Sequence, residues 1–226
     1  MNAPIGLLGG TFDPVHFAHL RLALEALEQL PLASIRWTPS GQPGHRGAPA
    51  AGVGHRLAML RLAIEDEARF ALDAADAQSA APTFTVNTLT RLRAELGAAV
   101  PLVLIIGADQ LLALDTWREW KRLFELAHIA VAERPRFELR PGALAGELAA
   151  EHARRSGPAS ALAAAPAGAI TTFAMTPLDI SASAIRAAVA AGRSSRYLLP
   201  DAVLDYIGSH RLYTQGDIEQ VGQAPL

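Results

Sequence analysis

Two histidines, His16 and His19, follow an apolar run at residues 5–8 and a glycine pair, Gly9 and Gly10. This order predicts a strand, a tight turn and a helix with an apolar stripe through residue 30. A helix that has begun by Val15 would place both imidazoles on one face, beside N–H groups with a partial positive charge. An anion such as phosphate fits there, because imidazole donates a hydrogen bond when neutral and becomes a cation when an anion approaches.

The same residues allow two other interpretations. A glycine pair after a strand is often only a turn, and histidines on an exposed helical face usually have no role. A zinc site would need a third ligand, which the sequence does not indicate. Asp13-Pro14 is expected to start the helix or the turn before it, since an aspartate accepts the first N–H bonds and proline needs none.

A second segment whose residue types could bind an anion lies at residues 179–186. Ser181 and Ser183 precede a helical run, so they can cap it and direct N–H and O–H groups at an anion. Arg186 can add a bidentate, charge-assisted contact to the same anion. On its own, this spacing is typical of an ordinary helix start.

Short apolar runs separated by helical patterns predict one α/β domain with a mostly parallel sheet. The predicted strands are 5–8, 34–38, 70–76 at an edge, 102–106 in the centre, 128–132 and 170–176. Helices are expected at 53–64, through 92–96, once within the alanine-rich segment 136–168, and at 200–213. Arg56 is expected outside the apolar face of the helix 53–64. We expect a single domain over 1–213 and a flexible polar tail at 214–226.

Several candidate ligand contacts follow predicted strands, and ligands of open parallel sheets bind at the carboxyl ends of the strands. His45 and Arg46 lie in a turn-rich loop after the second strand, and Arg134 follows the strand 128–132. Asp109, after the central strand, can accept bonds from ribose hydroxyls or cap the next helix. Trp117 can stack on a flat heteroaromatic ring or pack in the core.

Composition excludes several function classes. The 226 residues carry a net charge of -2, which argues against bulk binding to nucleic acids or membranes. There is no cysteine, so thiolate catalysis and cysteine-ligated zinc are excluded. The only lysine, Lys121, is far from any glycine-rich loop, which excludes a P-loop. No basic segment followed by a long apolar run begins the chain, so we predict a cytoplasmic protein.

Residues 10–19, Gly-Thr-Phe-Asp-Pro-x-His-x-x-His, resemble the signature of the HxGH nucleotidylyltransferase superfamily, and 180–186 are similar to its ISSTxIR signature. Ala18 replaces the glycine between the two histidines, a change that we expect to be tolerated. Ala182 and Ser183 stand in place of Ser and Thr. Within the superfamily, three segments resemble bacterial nicotinate-nucleotide adenylyltransferases: the Pro-x-His-basic loop at 43–46, residues 83–89 in place of S-Y-T-x-x-T-L, and Gly107-x-Asp109-x7-Trp117.

The resemblance implies a Rossmann-like nucleotidylyltransferase fold, a mostly parallel open sheet with helices on both faces. It implies transfer of AMP from ATP to nicotinate mononucleotide, giving nicotinate adenine dinucleotide and pyrophosphate, with Mg²⁺ accompanying ATP and no protein ligand of the metal named. It implies catalytic roles for His16, His19 and Arg186. The ATP and phosphate contacts that it implies are Gly9, Gly10, Thr11, Phe12, His45, Arg46, Ile180, Ser181 and Ser183. The nicotinate-nucleotide contacts that it implies are Thr85, Asp109, Trp117 and Arg134.

Three alternatives stay open at this point. An enzyme that prefers nicotinamide mononucleotide is close, since one carboxylate separates the two substrates. Phosphopantetheine adenylyltransferases and the cytidylyltransferases share both signatures but resemble shorter chains without the segments at Thr85 and Trp117. A non-catalytic nucleotide sensor would keep the fold but could lack one of the two histidines, and both are present here.

Overall fold

The computed structural model describes residues 3–43, 48–133 and 142–214. Its main sheet has six parallel strands in the order β4-β2-β1-β6-β7-β8. A second, two-stranded sheet pairs β3 with β5. The strands are β1 Ile5–Gly10, β2 Ser34–Pro39, β3 Gln42–Pro43, β4 Phe70–Leu72, β5 Pro82–Thr83, β6 Leu102–Gly107, β7 His128–Glu133 and β8 Ile170–Ala174.

Helices connect the strands, as parallel pairing requires. They are α1 Phe17–Gln29, α2 Val53–Ile64, α3 Thr85–Leu96, α4 Ala108–Leu112, α5 Trp120–Leu126, α6 Gly146–Arg155, α7 Ala161–Ala164, α8 Ala182–Ala190 and α9 Asp201–Ser209, with a 3₁₀ turn at Leu114–Thr116. In the described part of the chain, no helix is both long and apolar enough to span a membrane.

Each face of the sheet is covered by its own apolar cluster. Successive side chains of a strand point to opposite faces, so Leu8 and Ile105 join one cluster while Leu7 and Ile106 join the other. The first cluster includes buried residues of α1, α2, α8 and α9, and the second includes residues of α3 to α6. The predicted open parallel sheet with helices on both faces is confirmed.

The strand order reverses direction between β1 and β6. From β1 the chain builds outward through β2 to β4, and then returns to place β6 on the other side of β1. The carboxyl ends of these two strands are Gly10 and Gly107. This is the switch point at which open α/β sheets bind ligands.

Most predicted elements are confirmed with small shifts at their ends, and three expectations were wrong in extent. The edge strand β4 has three residues instead of seven, and α9 ends at Ser209 rather than at 213. The alanine-rich segment contains two helices, α6 and α7, where one was expected.

Candidate active site

The two histidines lie side by side at the start of α1. The helix begins at Phe17, later than the expected Val15, and His16 precedes it with an extended backbone. The main-chain N–H of His16 donates to Nδ1 of His19 over 3.3 Å. The two rings are stacked, with centroids 3.8 Å apart and planes 25° from parallel. The two imidazoles therefore lie on the same side, as expected, although the helix start differs, and their role in binding an anion stays a prediction.

The ring of Phe12 leaves no room for a side chain at Gly10. The backbone of Phe12 has a positive φ of 49°, and the buried ring folds back so that a Cβ on Gly10 would lie 2.9 Å from its Cζ. The Phe12 ring also meets the ring of His19 edge-on, with centroids 5.1 Å apart. The expected contact of Phe12 with ATP stays a prediction, and what the structure shows is that its buried ring packs against His19.

Asp13 and Pro14 form the turn before α1, so the second of the two expectations for them is confirmed, whereas the expected acceptance of the first helical N–H bonds by Asp13 is not. The carboxylate of Asp13 instead accepts N–H bonds from Ala50 at 2.7 Å and Ala51 at 3.1 Å. The same carboxylate accepts the hydroxyl of Tyr213 at 2.7 Å. Burial, and then the charge of Asp13, raise the pKa of the Tyr213 hydroxyl, which therefore stays protonated and donates. Asp13 thus ties the turn after β1 to two distant segments.

We expect Tyr213→Phe to lower the free energy of unfolding by about 1.5–3 kcal/mol, because it removes a buried hydrogen bond to a carboxylate. Urea denaturation followed by circular dichroism measures the change. Tyr197→Phe is the matched control, since Tyr197 is 81% exposed, and it should leave the midpoint unchanged. A loss for Tyr213→Phe no larger than the control's would contradict the role given to this hydroxyl.

Arg186 brings the second motif to the first. Its Nη1 donates to the main-chain carbonyl of Asp13 over 2.6 Å and lies 3.9 Å from the Asp13 carboxylate. The predicted cap of α8 is confirmed, because Ser181 Oγ accepts the N–H of Ala184 at 3.2 Å. The hydroxyls of Ser181 and Ser183 are 3.1 Å apart on the exposed first turn of α8. Ile180, just before them, packs half-buried against the core.

Arg56 was predicted to lie outside the apolar face of α2, and this was wrong. It is 1% exposed and donates to the carbonyls of Thr11 at 2.8 Å, Ser40 at 2.7 Å and Gly41 at 3.2 Å. Burial lowers the pKa of its guanidinium, and the charge of Asp13 opposes that shift. The signal that could have revealed it is the spacing of Arg56, Leu60 and Ile64, which places all three on one helical face.

A cavity of about 450 Å³ opens at the switch point. It brings together the turn residues Gly9, Gly10 and Thr11 with the predicted nicotinate contacts Thr85, Asp109 and Trp117. His16, His19 and Arg186 are not among its lining residues and group instead around the turn that follows Gly10. The residues that begin this turn therefore line the cavity, and the paired imidazoles follow the turn in the chain.

The predicted ring and ribose contacts differ in exposure. Trp117 is half-buried against the core cluster, and Thr85 opens α3 with Phe84 before it. Asp109 is exposed in the first turn of α4, and its Oδ1 lies 2.5 Å from where a Cβ of Gly107 would stand. Any side chain at Gly107 would therefore displace this carboxylate.

The cavity residues that sequence reasoning did not single out include Ser40, Asp76 and Arg118. Asp76 accepts the Thr88 hydroxyl, and its Oδ1 lies 3.4 Å from the guanidinium of Arg91. Arg118 had an available signal, because it directly follows Trp117. Three predicted contacts, His45, Arg46 and Arg134, lie outside the described residues.

The described residues do not assemble three or more metal-ligating side chains. Asp13, the carboxylate nearest the histidines in sequence, is already engaged by two N–H groups and a hydroxyl. Among the described residues, this turn therefore offers no ready set of protein ligands for a magnesium ion.

The strand order and this geometry define an α/β protein of the dinucleotide-fold class, with its ligand cavity at the switch point. The family model described as cytidylyltransferase-like matches residues 7–188. The chain is 53% identical to a probable nicotinate-nucleotide adenylyltransferase of Dechloromonas aromatica, over 94% of this chain and 99% of the relative. It is 46% identical to one of Chromobacterium violaceum, over 94% of this chain and 100% of the relative. It belongs to the cytidylyltransferase-like family and, within it, to the nicotinate-nucleotide adenylyltransferases.

Solved structures show the same fold at low identity. Plasmodium falciparum nicotinic acid mononucleotide adenylyltransferase in complex with NaAD matches with a TM-score of 0.69 at 18% identity, over 94% of this chain and 98% of that one. The same enzyme in complex with APC matches with a TM-score of 0.68. The resemblance and the fold class predicted from the sequence are thus confirmed, and the roles of individual residues stay predictions.

Proposed function

We propose that this chain transfers AMP from ATP, bound with Mg²⁺, to nicotinate mononucleotide, giving nicotinate adenine dinucleotide and pyrophosphate. One observation carries the assignment to this site: the turn after β1 lines the cavity that holds Trp117 and also leads into the stacked pair His16 and His19. A site for a flat ring thus adjoins a site for phosphates along one stretch of backbone. The nicotinate-nucleotide adenylyltransferases to which the chain is similar support the same reaction.

The chemistry needs no protein nucleophile. A phosphate oxygen of the mononucleotide attacks the α-phosphorus of ATP, the bond from that phosphorus to the bridging oxygen breaks, and pyrophosphate leaves with the electron pair. Positioning and stabilisation of developing negative charge therefore supply the catalysis. Mg²⁺, when bound with ATP, would supply positive charge that offsets the negative charge of the triphosphate.

The histidines are suited to the α-phosphate. Because Nδ1 of His19 accepts an N–H bond from the backbone, the proton of the neutral ring is on Nε2, which is then a donor. The stacked ring of His16 holds this orientation. Ser181, Ser183 and Arg186 are suited to the departing pyrophosphate, since α8 begins there and Arg186 already contacts the turn that carries the histidines.

The cavity is suited to the mononucleotide. Trp117 offers a face for the pyridine ring, Thr85 offers its hydroxyl and the first N–H groups of α3, and Asp109 can accept from a ribose hydroxyl. We further infer one catalytic domain over residues 1–213. We also propose a cytoplasmic location, where ATP is available.

Pyrophosphate release from ATP and Mg²⁺ with a single acceptor tests the function. We expect fast release with nicotinate mononucleotide, much slower release with nicotinamide mononucleotide, and none with phosphopantetheine. Equal use of the two mononucleotides would keep the reaction and reject the acid preference. Release with phosphopantetheine alone, or with no acceptor, would overturn the proposal.

A further inference from the structure

We propose that the side chain of Arg118 binds the carboxylate of the nicotinate ring and so selects the acid over the amide. The inference rests on the proposed function and assigns its specificity to a residue outside the motifs. Arg118 lines the cavity beside Trp117 and is the only lysine, arginine or histidine among the described residues that do so. It has no counterpart in the signatures on which the resemblance depends.

The other charged side chains that the described residues place in the cavity lining would repel a substrate carboxylate. The other ionisable side chains in its lining are Asp76 and Asp109, both of them carboxylates. Asp76 is partly offset by Arg91, 3.4 Å away, whereas no ion pair or side-chain hydrogen bond of Asp109 occurs among the described residues. Without Arg118, the ionisable side chains that the described residues contribute to the lining would all be acidic, which disfavours the acid relative to the amide.

Phe84 holds the guanidinium of Arg118 beside the place proposed for the pyridine ring of the substrate. The Cζ of Arg118 lies 4.9 Å from the centroid of the Phe84 ring, a cation–π contact. Phe84 directly precedes Thr85, which opens α3 and lines the same cavity. A pyridine ring on Trp117 therefore has its substituent between the start of α3 and the guanidinium of Arg118.

Arg118 also has little competition for its charge. The nearest carboxylate oxygen, on Glu119, is 3.7 Å from Nε, and both side chains are about half exposed. Such an exposed pair contributes little, so the N–H donors at the edge of the planar guanidinium can turn to a substrate carboxylate. A carboxylate accepts two charge-assisted bonds from a guanidinium, and a carboxamide offers one neutral oxygen.

The test compares kcat/KM for nicotinate and nicotinamide mononucleotides in the wild type, Arg118→Gln and Arg118→Lys. We expect Arg118→Gln to lower the acid-to-amide ratio about 10-fold or more, mainly through a higher KM for nicotinate mononucleotide. Arg118→Lys should restore part of the ratio. Raising the salt concentration should raise the wild-type KM for the acid and have less effect on that of Arg118→Gln.

Arg122→Gln is the matched control, because Arg122 is also exposed, pairs with the same Glu119 at 2.9 Å and does not line the cavity. An equal fall of the ratio in Arg122→Gln would show a general charge effect and overturn the proposal. Parallel losses for both mononucleotides in Arg118→Gln would also overturn it. If the wild type uses neither mononucleotide, the proposed function itself fails, and this inference with it.

Discussion

His19→Asn is expected to lower the turnover number at least about 100-fold while the protein stays folded, because one preorganised donor to the developing charge is lost. Asn is chosen because its Oδ1 can take the place of Nδ1 of His19. It would keep the bond from the main-chain N–H of His16 that closes the first turn of α1. What it lacks is a donor at the distance of Nε2. The loss should therefore appear in kcat and not in the stability of the helix.

His19→Gln is the matched control, because it removes the acceptor at Nδ1 and keeps a donor near the place of Nε2. The amide of Gln reaches about as far as Nε2, so this variant keeps a donor and loses the bond at Nδ1. We expect it to retain turnover about 10-fold above that of His19→Asn, since a positioned donor contributes on the order of 10²–10³ and a misaligned one less. Turnover is measured as pyrophosphate release under saturating substrates. Near-normal turnover in a folded His19→Asn would refute the role of His19.

The sequence alone was sufficient for the sheet and for the grouping of the site, for physical reasons. Continuous apolar runs such as 102–106 belong only in a strand buried on both faces, and ligands of open parallel sheets bind at the carboxyl ends. This logic placed Asp109 at the same edge of the sheet as Gly9 and Gly10, and one cavity does contain all three. The short edge strand β4 was harder, because an edge strand has fewer pairing constraints to fix its length.

The polar groups whose roles were predicted wrongly, Arg56 and the carboxylate of Asp13, have partners that are distant in the chain. Asp13 was interpreted from its neighbour Pro14, but its partners are Ala50, Ala51 and Tyr213. A local pattern contains no information on a hydroxyl two hundred residues away. Arg118 was missed for a related reason: a charged residue in a loop is usually solvated, and only the cavity shows that this one lines a site.

Arg56→Met is the second substitution with a large expected effect, and it acts on stability. Arg56 links the turn after β1 to the end of β2, since its guanidinium donates to carbonyls of Thr11, Ser40 and Gly41. Met has a similar length and can fill the space, but it leaves these carbonyls without their donor. It also removes the cation that faces the buried carboxylate of Asp13.

We expect Arg56→Met to lower the free energy of unfolding by about 3–5 kcal/mol, the cost of removing one partner from a buried charged cluster. Arg61→Met, on the exposed side of the same helix, should change it by less than about 0.5 kcal/mol. Urea denaturation of both variants measures the difference. Arg56→Lys should fall between them, because one ammonium cannot reproduce the planar fork that reaches three carbonyls. Equal losses for Arg56→Met and Arg61→Met would mean that the turn carrying the histidines is held by Asp13 and its partners without Arg56.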